Sequence, residues 1–252
     1  MKTRELMQLN YTQQEIHKKR SLVRMLLISS SANIKDGEIN RISRLDLELL
    51  FQFYDSVFLN NYFSQQFKGT ILFSLSSRMT RSAGMTCSPK NLHALSPEQE
   101  RYEIKIGARF LFNYGQLERD KKVNGIQCRD PLDALQLVFE HEICHLIELH
   151  CCRKSSCRNK RFISLAFQLF GHTEGYHHLP TGKEIAAVKY GFRPGMNVRF
   201  EYEGIYLNGF IQRITQRATV MVPHEQGDYQ DQQGNRYAKY YVPVTELETI
   251  ET

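Results

Sequence analysis

Apolar residues recur at helical spacing in some parts of the chain and at strand spacing in others. Over residues 43–60 they return every three or four positions, which predicts an amphipathic helix with one buried face. These residues are Leu45, Leu49, Phe53, Val57 and Phe58. A more polar helix is predicted over residues 4–30, and the runs at 70–75 and 102–106 are typical of strands. This part of the chain is therefore predicted to be an α+β domain.

The clearest predicted helix covers residues 131–150. Asp130 can cap it, and Pro131 suits its first position, where a missing amide hydrogen costs no helical hydrogen bond. Two shorter helices are predicted after it, one that stops at Gly171 and one that a capping box opens at Thr181.

From Phe192 onward the pattern changes to short alternating segments separated by turn residues. These segments are 198–202, 209–214, 218–222 and 240–244. Their spacing is typical of a small β-barrel, and the module resembles SH3- or KOW-like barrels. The sequence thus predicts a helical N-terminal extension over 1–42, an α+β domain over 43–191 and a β-barrel over 192–252.

The composition is that of an ordinary globular protein, with 252 residues of which 41% are hydrophobic. No apolar run reaches the roughly 18 residues that a membrane-spanning helix needs. Residues 1–20 lack the apolar stretch of a secretory signal, which predicts a cytoplasmic protein. In that reducing compartment the six cysteines are expected to be free thiols or metal ligands.

The net charge of +6 is unevenly distributed along the chain. From Phe192 to the end, six basic residues stand against eight acidic ones, which gives −2 and leaves +8 on the first 191 residues. An anionic partner is therefore expected to bind the first 191 residues, whereas the acidic barrel is expected to contact protein or to pack on the catalytic domain.

The predicted helix over 131–150 contains the sequence His-Glu-Ile-Cys-His. Residues four apart share a helix face, so His141 and His145 can bind one metal ion. Glu142 can deprotonate a metal-bound water and return the proton to a leaving amine. The motif predicts one zinc ion per chain and hydrolysis of peptide bonds.

A catalytic zinc of this kind needs a third protein ligand and one open position. The candidates that follow the motif are His150, Cys151, Cys152, Cys157, His172, His177 and His178. Cys157 is preferred because it precedes the next predicted helix and could fold back against the first one. His172 is the next candidate. His150 is expected to point away from the metal face of the helix. Cys151 and Cys152 are expected to be buried or to form a redox-sensitive surface pair, and His177 and His178 to lie in a solvated loop.

Several features follow one another in a specific order along residues 43–175. They are Tyr54-Asp55, Tyr62-Phe63, a strand, Ser77-Arg78-Met79, Ala83-Gly84, a strand with Tyr102-Glu103-Ile104, and the His-Glu-x-x-His helix. This order resembles that of the SprT-like, Spartan-related zinc metallopeptidases. The resemblance implies a zincin-like fold, proteolysis of proteins bound or crosslinked to DNA, and a role in DNA repair.

The chain departs from that family at the third ligand. The family has a histidine there, four residues before an aromatic residue that matches Phe162, so the ligand position falls on Arg158. An arginine stays protonated and cannot bind zinc. The adjacent Cys157 is the nearest residue that can. The zinc-ribbon cysteines of many relatives are also missing, and the predicted barrel takes their place.

The segment 153–161 carries five positive charges in nine residues beside the predicted zinc site. They are Arg153, Lys154, Arg158, Lys160 and Arg161. This basic segment is predicted to bind the phosphates of DNA or another nucleic acid with a salt-dependent affinity. The alternative is a solvated loop and helix start.

Two alternatives to a peptidase stay open at this point. One is a nucleic-acid-associated binding protein whose zinc is hydrolytically silent, an interpretation that Arg158 favours. The other is a structural zinc closed by His141, His145 and two of the cysteines, which would leave no position for water. The expected compartment is the cytoplasm, with association with the nucleoid as an open alternative.

Overall fold

The computed structural model describes residues 3–250. The terminal residues Met1, Lys2, Glu251 and Thr252, which belong to the predicted extension and barrel, lie outside this range. Contacts divide the chain into two units, Met1–Leu179 and Pro180–Thr252. The boundary predicted after residue 191 thus moves to residue 179, because Ala186 of the last helix is buried in the core of the second unit.

The first unit contains both helices and strands and is a mixed α+β structure, as predicted. Its helices are α1 (Thr3–Leu6), α2 (Gln13–Ser30), α3 (Arg44–Phe58), α4 (Tyr62–Gln66), α5 (Ala108–Phe112), α6 (Pro131–Cys152) and α7 (Lys160–Phe170). Its strands are β1 (Thr70–Ser76), β2 (Gly84–Cys87), β3 (Arg101–Gly107), β4 (Lys122–Val123) and β5 (Ile126–Gln127). None of the described helices combines the length and the apolar character needed to cross a bilayer.

The helix predicted over residues 4–30 is interrupted, and α2 begins only after Thr12. The Thr12 hydroxyl accepts a hydrogen bond from the Glu15 amide at 3.3 Å, and the Glu15 carboxylate accepts one from the Thr12 amide at 2.8 Å. This capping box fixes the start of the helix. Val23 and Leu27 of α2 are fully buried in the core shared with α3 and α6. Residues 1–42 are therefore part of the first unit rather than a separate extension.

A three-stranded sheet lies beside α6 and contributes one wall of the site described below. β1 runs parallel to β3, and β2 pairs antiparallel with the other side of β3, in the order β1-β3-β2. Both predicted strands are confirmed as β1 and β3. Because β2 pairs only with β3 in the described sheet, it is an edge strand, and it also contacts α6.

The long helix α6 is the central element of the first unit. Asp130 caps it by accepting a hydrogen bond from the Asp133 amide at 2.9 Å, with Pro131 in the first turn, as predicted. The helix ends at Arg153, which adopts a left-handed conformation with φ of 58°. Most of its residues are buried, because β2, β3, α5 and α7 pack around it.

The second unit contains the helix α8 (Gly182–Tyr190) and one six-stranded sheet. The strands are β6 (Asn197–Tyr202), β7 (Ile205–Ile214), β8 (Ala218–Pro223), β9 (Tyr229–Gln230), β10 (Arg236–Val242) and β11 (Glu248–Thr249). Their order is β11-β6-β7-β8-β10-β9, and no pairing among the described residues joins β9 to β11. No closed barrel is found among the described residues, although the predicted separate all-β region is confirmed. The sheet is curled instead, since Phe200 of β6 and Tyr240 of β10 have ring centroids 5.4 Å apart although two strands separate them.

Candidate metal centre

Two histidines of α6 and one cysteine of the following turn come together. His141 and His145 share a face of the helix, and their ring centroids are 4.9 Å apart. Cys157 lies in the turn between α6 and α7, and one ligand atom from each of the three residues lies within 4.8 Å of the others. Phe162 of α7 packs against both imidazole rings, with centroid distances of 4.9 and 4.4 Å.

The chemistry of this group fits a metal ion of the zinc type. Burial lowers the pKa of His141 to about 3 and that of His145 to about 4, so both rings are neutral at pH 7 as a ligand must be. His141 Nδ1 is buried and has no hydrogen-bond partner among the described residues, which costs free energy unless the ring binds a further group. Two imidazoles and a thiol are the ligand types that zinc prefers.

His172, the second candidate for the third ligand, is engaged elsewhere. Its ring is buried and its Nε2 lies 2.9 Å from an oxygen of Glu140. The same carboxylate accepts two hydrogen bonds of 2.7 Å from Arg20 and one of 2.8 Å from the Tyr54 hydroxyl. His172 therefore belongs to a buried ionic cluster around Glu140.

The remaining candidates are also separate from the group. His150 contacts the Tyr62 hydroxyl at 2.9 Å and a Glu100 oxygen at 2.8 Å. Neither Cys151 nor Cys152 joins the metal-binding group found among the described residues. A closed site with two cysteines therefore has no support, and three protein donors leave a position open.

Glu142 projects beside this group into a cleft with an empty volume of about 540 Å³. The cleft is lined by residues of β2, of β4 and the turn after it, of α6, and of the loops before β2 and after α7. They are Arg81, Ser82, Ala83, Gly84, Val123, Asn124, Val138, His141, Glu142, Gly175, Tyr176 and His177. A Cβ on Gly84 would lie 2.5 Å from a Glu142 oxygen, so the backbone of β2 approaches Glu142 closely at this glycine. A side chain at position 84 would collide with Glu142, whose carboxylate lies directly against β2.

The environment of Glu142 suits a general base. Burial raises its pKa to about 7. A 2.7 Å hydrogen bond from the Thr86 hydroxyl lowers the pKa but does not cancel the effect of burial. None of the salt bridges found among the described residues involves Glu142, in contrast to the other buried glutamates of α6. A carboxyl whose pKa lies near neutral pH is efficient at both accepting and returning a proton.

The five cations of the basic segment fall into two groups. Arg153 forms a 2.6 Å ion pair with the buried carboxylate of Glu100, and Arg161 forms one of 2.6 Å with that of Glu148. The side chains of the other three, Lys154, Arg158 and Lys160, are exposed, and none of them is in a salt bridge with a described residue. Arg158, at the ligand position of the resembled family, is thus a surface residue.

Sequence reasoning did not identify three side chains that contact the site. Thr86 donates to Glu142, Ser155 lies 2.7 Å from His145 Nδ1, and Glu148 accepts a hydrogen bond from Ser155 at 2.7 Å. A glutamate three residues after His145 was the available signal for Glu148, because this spacing puts both residues on one face of α6. No local pattern indicates Thr86, which is 56 residues away from Glu142.

Comparison of this chain with protein-family models, with curated proteins and with solved structures finds no match in any of the three.

Proposed function

We propose that this protein is a zinc-dependent SprT-like peptidase in which Glu142 is the general base. One observation carries the proposal. Three donors, from His141, His145 and Cys157, converge within 4.8 Å next to a buried carboxyl of raised pKa that opens onto a cleft. A structural metal site has no need of such a carboxyl, whereas a hydrolase does.

The side chains divide the chemistry between them. A zinc ion held by the two histidines and Cys157 would supply Lewis acidity toward a water molecule and a scissile carbonyl. Glu142 takes the proton of the attacking water and passes it to the leaving amine. Thr86 keeps the carboxylate oriented toward the cleft through its hydrogen bond of 2.7 Å.

The position of β2 supports an extended peptide as the substrate. An edge strand offers unpaired backbone groups, to which a peptide can add as a further strand. Gly84 of β2 lines the cleft directly beside Glu142. A peptide paired with β2 would therefore bring its backbone carbonyl groups close to the general base.

Proteins bound or crosslinked to DNA are the substrate class we propose. The support comes from the resemblance to SprT-like peptidases and from the exposed cations Lys154, Arg158 and Lys160 next to the site. These cations could hold a nucleic-acid backbone while the attached protein enters the cleft.

The test compares zinc-loaded wild-type protein with Glu142→Gln on a DNA-crosslinked protein substrate, with and without added DNA. Glutamine keeps the shape of the side chain and loses the base, so the cleavage rate should fall by about 10³-fold while zinc content stays near one per chain. The matched control is Glu118→Gln, which makes the same change at an exposed position of the same unit.

Equal cleavage by wild type and Glu142→Gln would contradict the role of Glu142. Zinc and DNA binding without any cleavage by the wild type would instead favour the hydrolytically silent binding protein.

A further inference from the structure

The loop that joins α6 to α7, residues 153–159, presents two side chains to the metal-binding group. Cys157 is one of the three candidate ligands, and Ser155 contacts the ring of His145. The loop is tied to the interior at both ends, by the ion pair of Arg153 with Glu100 and by that of Arg161 with Glu148. The side chains of both glutamates are almost fully buried, with exposures of 1% and 0%.

The hydrogen bonds around Ser155 determine which nitrogen of His145 carries the proton. The Ser155 hydroxyl donates its single proton to Glu148 Oε2 at 2.7 Å. The same oxygen lies 2.7 Å from His145 Nδ1 and can therefore act there only as an acceptor. His145 consequently holds its proton on Nδ1, and Nε2 presents its lone pair.

Glu148 can accept from Ser155 because its charge is compensated. Its Oε2 also accepts from the Ser156 amide at 3.3 Å, and its Oε1 accepts from Arg161 Nε at 2.6 Å. A buried carboxylate without a cation would be costly. Arg161 thus keeps the acceptor in place, although the sequence suggests a nucleic-acid contact for it.

We propose that Arg161, Glu148 and Ser155 form a hydrogen-bonded relay that positions His145, with Nε2 presented to the metal, and that holds the loop so that Cys157 reaches the same point. The proposal rests on the metal site of the proposed function. It makes Arg161 a positioning residue of that site. A second group that orients a metal-binding histidine in this way commonly changes metal affinity by about 10- to 100-fold.

The first test measures the His145 tautomer in metal-free protein, by long-range ¹H–¹⁵N NMR at pH 7. The wild type should show mainly the Nδ1–H tautomer of His145. In Ser155→Ala this tautomer should no longer predominate, because the oxygen that accepts its proton is gone. Ser155→Thr retains a hydroxyl and should restore it. A wild-type ring protonated on Nε2, or an unchanged tautomer in Ser155→Ala, would overturn the relay.

The second test measures zinc affinity by competition with a chelator. Ser155→Ala and Arg161→Gln should each bind zinc about 10-fold more weakly, with Ser155→Thr close to wild type. The controls are Ser156→Ala, whose hydroxyl accepts a 3.4 Å hydrogen bond from the Arg158 amide, and Lys90→Gln, which removes an exposed cation outside the basic segment. Unchanged affinity in Ser155→Ala would overturn the positioning role.

The two tests also separate this inference from the proposed function. If the wild type binds no zinc, the peptidase proposal fails, and the NMR measurement still decides whether the relay orients His145. If the wild type binds zinc and cleaves substrate while Ser155→Ala behaves like wild type in both tests, the relay alone is refuted.

Discussion

Glu140 and Glu142 lie two residues apart on α6, are both buried, and have opposite surroundings. Glu140 is bound by Arg20, Tyr54 and His172. Burial would raise its pKa, but Arg20 and His172 outweigh that effect and hold the pKa below its usual value. Glu142 has no cation in a salt bridge with it among the described residues, and burial raises its pKa to about 7.

The comparison shows two kinds of buried carboxyl group, one paired with a cation and one without. The carboxylate of Glu140 is satisfied in its ionised form and joins α2 to α6 and to the end of α7, where the Phe170 carbonyl also accepts from Arg20 at 2.7 Å. Glu142 accepts a hydrogen bond from Thr86 and has no cation in a salt bridge with it among the described residues, which is the environment expected of the general base that we propose. Two neighbouring glutamates therefore take different roles because only one of them has a cation.

The same distinction divides the basic segment. Arg153 and Arg161 each neutralise a buried carboxylate, so removing either should affect folding or the metal site. Lys154, Arg158 and Lys160 have solvent around their charges and are the cations free to meet a phosphate.

The largest effect should follow from removal of the cation beside Glu140. Arg20→Ala leaves a buried carboxylate unpaired and should lower the free energy of unfolding by about 3 to 5 kcal/mol. Urea denaturation measures the change, and Lys18→Ala, at an exposed position of the same helix, is the control. A loss below about 1 kcal/mol would show that the Glu140 cluster is not the structural charge we infer.

In metal-free protein, replacement of Glu142 by an uncharged residue should instead raise the free energy of unfolding. The folded-state pKa of about 7 exceeds the usual value of 4.5, so the wild type loses stability as pH rises from 4.5 to 7. Glu142→Gln lacks this penalty and should be more stable at pH 8 by about 3 kcal/mol, with no gain below pH 4.5. Unfolding of chelator-treated protein at both pH values tests this, and a pH-independent difference would contradict it.

The next effect concerns the proposed ligands of the metal ion. Cys157→Ser should weaken zinc binding by about 100-fold, or roughly 2.7 kcal/mol, because a thiolate ligand is lost. Cys151→Ser and Cys152→Ser should bind zinc like wild type, since neither residue is part of the group. Competition with a chelator gives all three affinities, and equal losses in the three variants would refute Cys157 as the ligand.

The smallest effect per charge is expected at the exposed cations. Replacement of Lys154, Arg158 and Lys160 by serine should reduce the slope of log affinity against log salt for DNA by about 2 to 3. Fluorescence anisotropy with duplex DNA at several salt concentrations measures the slope. An unchanged slope would assign these side chains to a solvated surface.

Local sequence patterns predicted the elements that carry the motif. Three of these features depend on residues within a few positions of each other. They are the cap at Asp130, the strands β1 and β3, and the shared helix face of His141 and His145. The start of α2 is also determined locally, by the capping box of Thr12 and Glu15, although the apolar pattern predicts one continuous helix over residues 4–30. Such features follow from the periodicity of helices and strands and from hydrogen bonds at helix ends.

The sequence by itself determined that two histidines and a glutamate share one helix, and it narrowed the third ligand to Cys157 or His172. Only the tertiary structure places Cys157 beside the two histidines and His172 elsewhere, because the partner of His172 is Glu140, which in turn is bound by Arg20 from 120 residues earlier. The ion pairs of Arg153 and Arg161, and the lack of a salt bridge at Glu142 among the described residues, also depend on the tertiary structure. Whether a buried charge is paired depends on side chains that folding brings together from distant positions. The periodicity of apolar and polar residues along the chain does not predict those contacts.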